Sequence, residues 1–277
     1  MAQGGKARRW IRQAVPLWAR RRLAILVGRQ QWLKARYWWA FELLRDFAER
    51  DPDGFHRFLW AHHLAYAESY EVERRFGGDK VHPTRLMLFA DLEEELRRRG
   101  AEPARDVQSV FEVGCSLGYL LRHLETGLFA SASTLEGNDI DRYAIDAGTR
   151  KLTALGSRVR LHHADMAHLT AVFAGRTFDV TIAAGVLMYL REAAALEVVG
   201  VMLRHTGRLA VFAGLAHPEQ DNLNLPASTL RERDGTWIHN LDAMVERAGG
   251  HVVARRWGGA QVVDGNTIYF VLAEPGR

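Results

Sequence analysis

Residues 110–118, VFEVGCSLG, place one acid in an apolar run that then breaks into a loop bounded by Gly114 and Gly118. Glu112, Gly114, Cys115, Ser116 and Gly118 form the pattern Glu-x-Gly-x-x-x-Gly. Small residues after a strand let a backbone approach something bulky or anionic. Two further acids stand at comparable places downstream: Asp139 in EGNDID, followed by Ile140 in the same run, and Asp165 in HADM, followed by Met166. A carboxylate that accepts from two hydroxyls is a strong and geometrically selective contact. The apolar run FDVTIAA ends at Ala184 and Gly185. His217 and His239 are the candidate proton acceptors, because imidazole titrates near working pH.

These residues need elements to position them. SVFEV (109–113), STLEG (133–137), VRLHH (158–162), FDVTIAA (178–184) and GRLAVFA (207–213) read as strands. Helix-compatible segments near 117–126, 141–154 and 186–204 separate them. Strands alternating with helices predict an α/β fold with a doubly wound, mostly parallel sheet. Residues 237–249 read as a helix, and HVVARRW (251–257) and NTIYFVLA (266–273) as two last strands. The connection between those two is too short for a helical crossover, so they should pair antiparallel. Before residue 107 the rhythm is helical. Leu33, Tyr37, Phe41, Leu44 and Ala48 share one face, as do Phe55, Leu59, His62, Tyr66 and Tyr70. Pro83 opens a third helix and Gly100 closes it, leaving AEPARD (101–106) as a linker. The expected organisation is a helical N-terminal cap over 1–106 and an α/β domain over 107–277.

Composition narrows the function. No run of 18 apolar residues occurs, and the apolar stretch AVPLWA is stopped at once by Arg20, Arg21 and Arg22, so neither a spanning helix nor a secretory signal is expected. A cytoplasmic protein is the reading. Cys115 is the single cysteine, which excludes an intramolecular disulfide, a Cys-rich zinc site or a cysteine-ligated cluster within one chain. Residues 1–50 hold 12 Lys or Arg against 3 Asp or Glu, a net +9, and the rest of the chain is −5. Trp10, Trp18, Trp32, Trp38 and Trp39 lie in that basic segment. Two readings stand: a surface that meets an anionic membrane or nucleic acid, or a helical cap with its tryptophans turned inward.

A dinucleotide dehydrogenase would show G-x-G-x-x-G at its first strand–helix turn, but Ser116 replaces the glycine that admits a pyrophosphate. The arrangement instead resembles class I S-adenosylmethionine-dependent methyltransferases over roughly 107–277. The resemblance implies a Rossmann-like seven-stranded sheet with an antiparallel last strand and S-adenosyl-L-methionine as cofactor. It implies that the 112–118 loop wraps the methionine part and that Asp139 takes the ribose hydroxyls. Asp165 would lie near the adenine amino group and Met166 against the ring. The strand exit at Ala184 and Gly185 would face the methyl group. All four pieces fall at the C-terminal ends of strands, the edge where open α/β sheets bind ligands.

The resemblance implies a methyl acceptor without naming it. Amino-methylating DNA enzymes carry a D/N-P-P-Y/F type motif where AAGV (183–186) stands, and cytosine C5 enzymes need a cysteine nucleophile outside the cofactor loop. The leading expectation is O-methylation of a small-molecule, sugar-linked or lipid-linked hydroxyl. Alternatives are an N-methyltransferase, an RNA or protein methyltransferase recruited by the basic segment, a polyamine aminopropyltransferase, and a non-catalytic protein of the same fold. His217 or His239 would serve as the base beside the long 214–236 loop, with Tyr189 a substrate contact or a core aromatic. The N-terminal helices should lie over the cleft, with Tyr70 and Arg85 available to a cofactor carboxylate. His62 and His63 are adjacent and diverge on a helix, which argues against a metal site there.

Overall fold

The computed structural model describes residues 14–28, 36–65, 72–77, 81–231 and 234–276, with the backbone alone at 28 and 36–41. Lys6, Arg8, Arg9, Trp10, Trp32, Leu33, Tyr66 and Tyr70 lie outside the described residues, as do the side chains of Tyr37, Trp38, Trp39 and Phe41.

The strands are β1 (Ser109–Val113), β2 (Thr134–Asp139), β3 (Arg160–His163), β4 (Phe178–Ala184) and β5 (Thr206–Ala213), then β6 (Thr229–Arg231), β7 (Thr236–Ile238), β8 (Gly250–Val263) and β9 (Asn266–Pro275). Seven of them form one sheet in the order β3-β2-β1-β4-β5-β9-β8. The first five run parallel, and β9 enters antiparallel between β5 and β8. Strand alternation builds two cores. Val110, Val180, Ile182, Leu209, Val211, Ile268, Phe270 and Leu272 face one side, and Phe111, Val113, Ala183, Ala210, Phe212, Tyr269 and Val271 face the other.

Four helices precede a fifth that belongs to the sheet: α1 (Leu17–Gly28), α2 (Arg36–Arg50), α3 (Pro52–Ala61), α4 (Val72–Phe76) and α5 (Pro83–Arg98). Ala24, Leu44, Phe47, Phe55, Leu59 and Leu64 form a separate apolar cluster that joins α1, α2 and α3. α5 instead buries Leu88, Phe89, Leu92 and Leu96 against the sheet. In packing, the cap's own core therefore ends before Pro83. The 101–106 segment is not an open linker: Ala101 is buried, and Pro103–Asp106 form a helical turn, α6. Between the parallel strands run α7 (Tyr119–Thr126), α8 (Arg142–Ala154), α9 (Leu169–Phe173) and α10 (Glu192–Arg204), and α11 (Leu241–Arg247) precedes β8.

Several expectations are corrected. The Phe55–Leu59–His62 face does not continue, because α3 stops at Ala61 and His63 takes a left-handed φ of 56°. The 214–236 segment holds a β6–β7 hairpin, so TWI (236–238) is a strand and the following helix starts only at Leu241. β8 runs on to Val263, and the connection to β9 is the two-residue turn Asp264-Gly265, at φ 46° and 85°. Asp-Gly suits that turn because both positions need positive φ.

Candidate active site

The C-terminal ends of β1, β2 and β4 open into a cavity of about 1060 Å³. Gly114, Ser116, Asn138, Asp139, Ile140, Asp165, Met166, Ala184 and Gly185 line one part of it. The structure therefore gathers most of the residues singled out in the sequence. Glu112, Cys115 and Gly118 stand behind the wall and shape it. Gly118 is the left-handed N-cap of α7, and the Cys115 thiol is buried against Gly137. Gly114 has φ 70°, and a Cβ there would lie 2.3 Å from Val186 Cγ1, so packing alone demands glycine. Ser116 also adopts positive φ, 50°, which turns its amide to donate to Asp139 Oδ2 at 2.8 Å.

Desolvation dominates the electrostatics. Glu112 is fully buried, and burial pushes its carboxyl up to about 8 despite the opposing pull of Arg85. Its Oε2 has no hydrogen-bond partner among the described residues, and neither has Asn138 Oδ1. Asp139 faces the cleft yet is surrounded by enough protein that burial raises it to about 6, against the amides of Asp141 and Ser116. The Asp141 amide donates to Asp139 Oδ1 at 2.8 Å. Arg85, on α5, donates from Nη2 to the Ala184 carbonyl at 2.9 Å, and burial lowers its pKa. A Cβ on Gly185 would approach that guanidinium to 2.7 Å, so this glycine makes room for a cation at the exit of β4.

The other part of the cavity is walled by the cap and by Tyr119, Met188, Tyr189, Arg191, Leu215 and Thr267. Charge pairs clasp α3 to the α/β domain. Arg57 Nε lies 2.8 Å from Asp165 Oδ2, and Arg191 donates to Asp53 at 2.7 Å. Trp237 Nε1 donates to Asp53 Oδ1 at 3.0 Å, and His56 Nε2 meets the Asp234 and Gly235 carbonyls at 3.0 and 3.1 Å. His63 Nδ1 reaches Asp141 Oδ2 at 2.5 Å. Sequence reasoning missed this clasp, because nothing local marks partners 78 or more residues apart.

Neither candidate histidine faces the cavity. His239 is buried, with Nε2 donating to the Leu187 carbonyl at 3.0 Å and Nδ1 2.7 Å from Ser228 Oγ. Burial lowers its pKa, so it holds a backbone turn as a neutral ring. The amide of His217 is fixed by Asn222 Oδ1 at 2.8 Å, and its Nδ1 accepts from the Glu219 amide at 3.2 Å. Asn222 also donates to the Leu215 and His239 carbonyls, tying the 214–239 stretch into one piece. Among the described residues, the histidine that does line the cavity is His82, whose Nδ1 caps α5 at the Thr84 amide and whose Nε2 meets the Asp264 carbonyl at 3.2 Å. Among the described residues, no group of three or more His, Cys, Asp or Glu is placed to hold a metal.

A family model described as "Methyltransferase domain" matches residues 110–207, from β1 to the start of β5. The match assigns this stretch of the chain to a methyltransferase domain. Among solved structures, it is similar to a magnesium protoporphyrin IX methyltransferase from Synechocystis PCC 6803 with bound SAM, at 16% identity and a TM-score of 0.53, covering 80% of this chain and 96% of that one. It is also similar to a SAM-bound amino pentose methyltransferase from Micromonospora echinaspora involved in calicheamicin biosynthesis, at 20% identity and a TM-score of 0.51, covering 76% and 98%. At these identities the likeness concerns the fold. No curated protein matches. Among the described residues, no helix is long and apolar enough to cross a membrane.

Proposed function

We propose that the protein methylates an oxygen of a small, sugar-linked or lipid-linked acceptor, by placement rather than by a histidine base. The observation that carries this reading is the buried Glu112 carboxyl with its unpartnered Oε2, beside unpartnered Asn138 Oδ1 and behind a cavity that continues past Gly185. Those acceptors fit the amino group of S-adenosylmethionine, Arg85 fits its carboxylate, Asp139 its ribose, and Ile140 and Met166 its adenine. When bound, this cofactor supplies an electrophilic methyl group on a sulfonium.

The chain's own residues then have three tasks. Ser116, Asp139 and Asn138 orient what binds along β1 and β2. The cap, clasped through Arg57, Asp53 and His63, covers the cleft and excludes water. Tyr189, held edge-on by Trp60 with ring centroids 5.4 Å apart, and Met188 offer an acceptor a semi-apolar wall near the exit of β4. Proximity of this kind is worth several orders of magnitude in rate without acid–base help. Because His82 is the one histidine lining the cavity among the described residues, and its ring nitrogens are engaged, an amine acceptor is the second reading. A neutral amine nitrogen attacks through its lone pair and needs no prior deprotonation.

The test is incubation with methyl-labelled S-adenosylmethionine and a panel of hydroxylated sugars, glycolipids, phenols and amines. Label on an oxygen supports the first reading, and label confined to nitrogen favours the second. Absence of any heat with S-adenosylhomocysteine would reject both.

A further inference from the structure

The arginines at 20–22 are not equivalent. Arg20 points inward, 3% exposed, and donates to the Leu43 carbonyl at 2.8 Å and to both oxygens of Asp46 at 2.5 and 2.8 Å. Arg21 lies over the Phe47 ring at 4.1 Å, against the cap's own core. Arg22 points outward, with its guanidinium 5.6 Å from the centroid of Trp18. Ala24 shares the inward face with Arg20. The outward face carries Trp18, 63% exposed, Leu26, 58%, and Leu23, 41%. At about 100° per residue, Trp18, Arg22, Leu26 and Leu23 span an arc of about 140° on α1. Three large apolar side chains and a cation thus share one face of a helix whose other face is pinned by a buried ion pair.

We propose that this face of α1 seats the protein on an anionic lipid bilayer. Trp18, Leu23 and Leu26 would enter the headgroup–acyl boundary, while Arg22 beside them meets the lipid phosphates. The segment's net charge of +9, against −5 for the rest of the chain, supplies the complementary charge. A lipid surface fits better than nucleic acid, because Leu23 and Leu26 have nothing to gain from a phosphate backbone but do gain from acyl chains. α1 is fastened through Arg20 to α2, and α2 contributes Glu42 and Arg45 to the cavity wall. The docking surface and the cleft therefore share one cap, which makes the acceptor a lipid-linked molecule presented from the bilayer. That last step rests on the methyl-transfer reading; the lipid contact does not.

The test is sedimentation of the full-length protein with phosphatidylcholine vesicles, with and without about 30% phosphatidylglycerol, at about 50 and 500 mM salt. The proposal expects binding to anionic vesicles at low salt, at least roughly tenfold weaker binding to neutral vesicles, and a similar loss at high salt. Trp18→Glu combined with Leu26→Glu should reduce vesicle binding at least tenfold, and Arg22→Glu should reduce it less. Both variants should keep the wild-type affinity for S-adenosylhomocysteine by calorimetry, which shows that the cleft is intact. Absence of anionic-vesicle binding at low salt, wild-type binding by the double variant, or displacement of vesicles by RNA at equal phosphate concentration would overturn the proposal. Loss of cofactor heat in the wild type would reject the transfer reading and leave the vesicle result standing.

Discussion

Glu112 gives the account its sharpest pH signature. Its carboxyl is buried and raised to about 8, so near pH 7 most of the free protein carries it neutral. A cofactor ammonium is best met by a carboxylate, so binding should expel that proton. Cofactor affinity should then rise about tenfold per pH unit between roughly 6.5 and 7.5, equivalent to about 1.4 kcal/mol per unit. It should level off above pH 8, where Glu112 is mostly ionised and the ligand's own amino group loses its proton. Calorimetry near pH 7 in two buffers of different ionisation enthalpy should report net proton release on cofactor binding. Glu112→Gln should bind with a flat pH dependence over the same range and release no proton. The stability of the cofactor-free protein should move the opposite way. A carboxyl raised from 4.5 to about 8 contributes stability that is fully present below pH 4.5 and is lost as pH rises through 8. The melting temperature should fall across that window, and Glu112→Gln should flatten the fall. A wild-type affinity that does not change between pH 6.5 and 7.5, with no buffer-dependent heat, would refute the reasoning.

Other expectations concern single side chains. Asp139→Ala should weaken S-adenosylhomocysteine binding by roughly 1.5–3 kcal/mol, measured by calorimetry; an unchanged affinity would remove Asp139 from the ribose site. Gly114→Ala forces a Cβ into Val186 at positive φ and should lower stability by about 1–3 kcal/mol in denaturant titration. His239→Ala orphans the Leu187 carbonyl and Ser228, so it should cost about 1–3 kcal/mol of stability, while the pH–rate profile keeps its lower limb. Arg57→Ala frees Asp165 from its partner and should change cofactor release more than cofactor-site stability, which stopped-flow fluorescence can separate.

What the sequence made legible was mostly local. β1 and β4 fall where alternating apolar residues end in glycine, and the acids at the ends of β2 and β3 follow from the same rhythm. The Asp264-Gly265 signal was present too, but the Gly-rich stretch before it hid a strand that continues through a bulge between Trp257 and Val262. The β6–β7 hairpin was read as loop because each strand has only three residues, too few for a period to show. The placement of the two histidine side chains was not legible for another reason. Nearness along the chain places a backbone, not a side chain: the Glu219 amide donates to the His217 ring, and Ser228 meets the His239 ring. Arg57, Asp53 and His56 were invisible as a clasp, because contacts between an early helix and distant connecting segments leave no spacing to read.

The central claim is that the ends of β1, β2 and β4 hold S-adenosylmethionine, with its methyl directed past Gly185 into the remaining cavity. A crystal structure of the full chain grown with S-adenosylhomocysteine tests it most directly. The account predicts the amino group within hydrogen-bond reach of Glu112 or Asn138, the ribose hydroxyls on Asp139 and the adenine between Ile140 and Met166. Ligand density away from the 114–118 loop, or a Glu112 carboxyl still without a partner in the bound state, would contradict it.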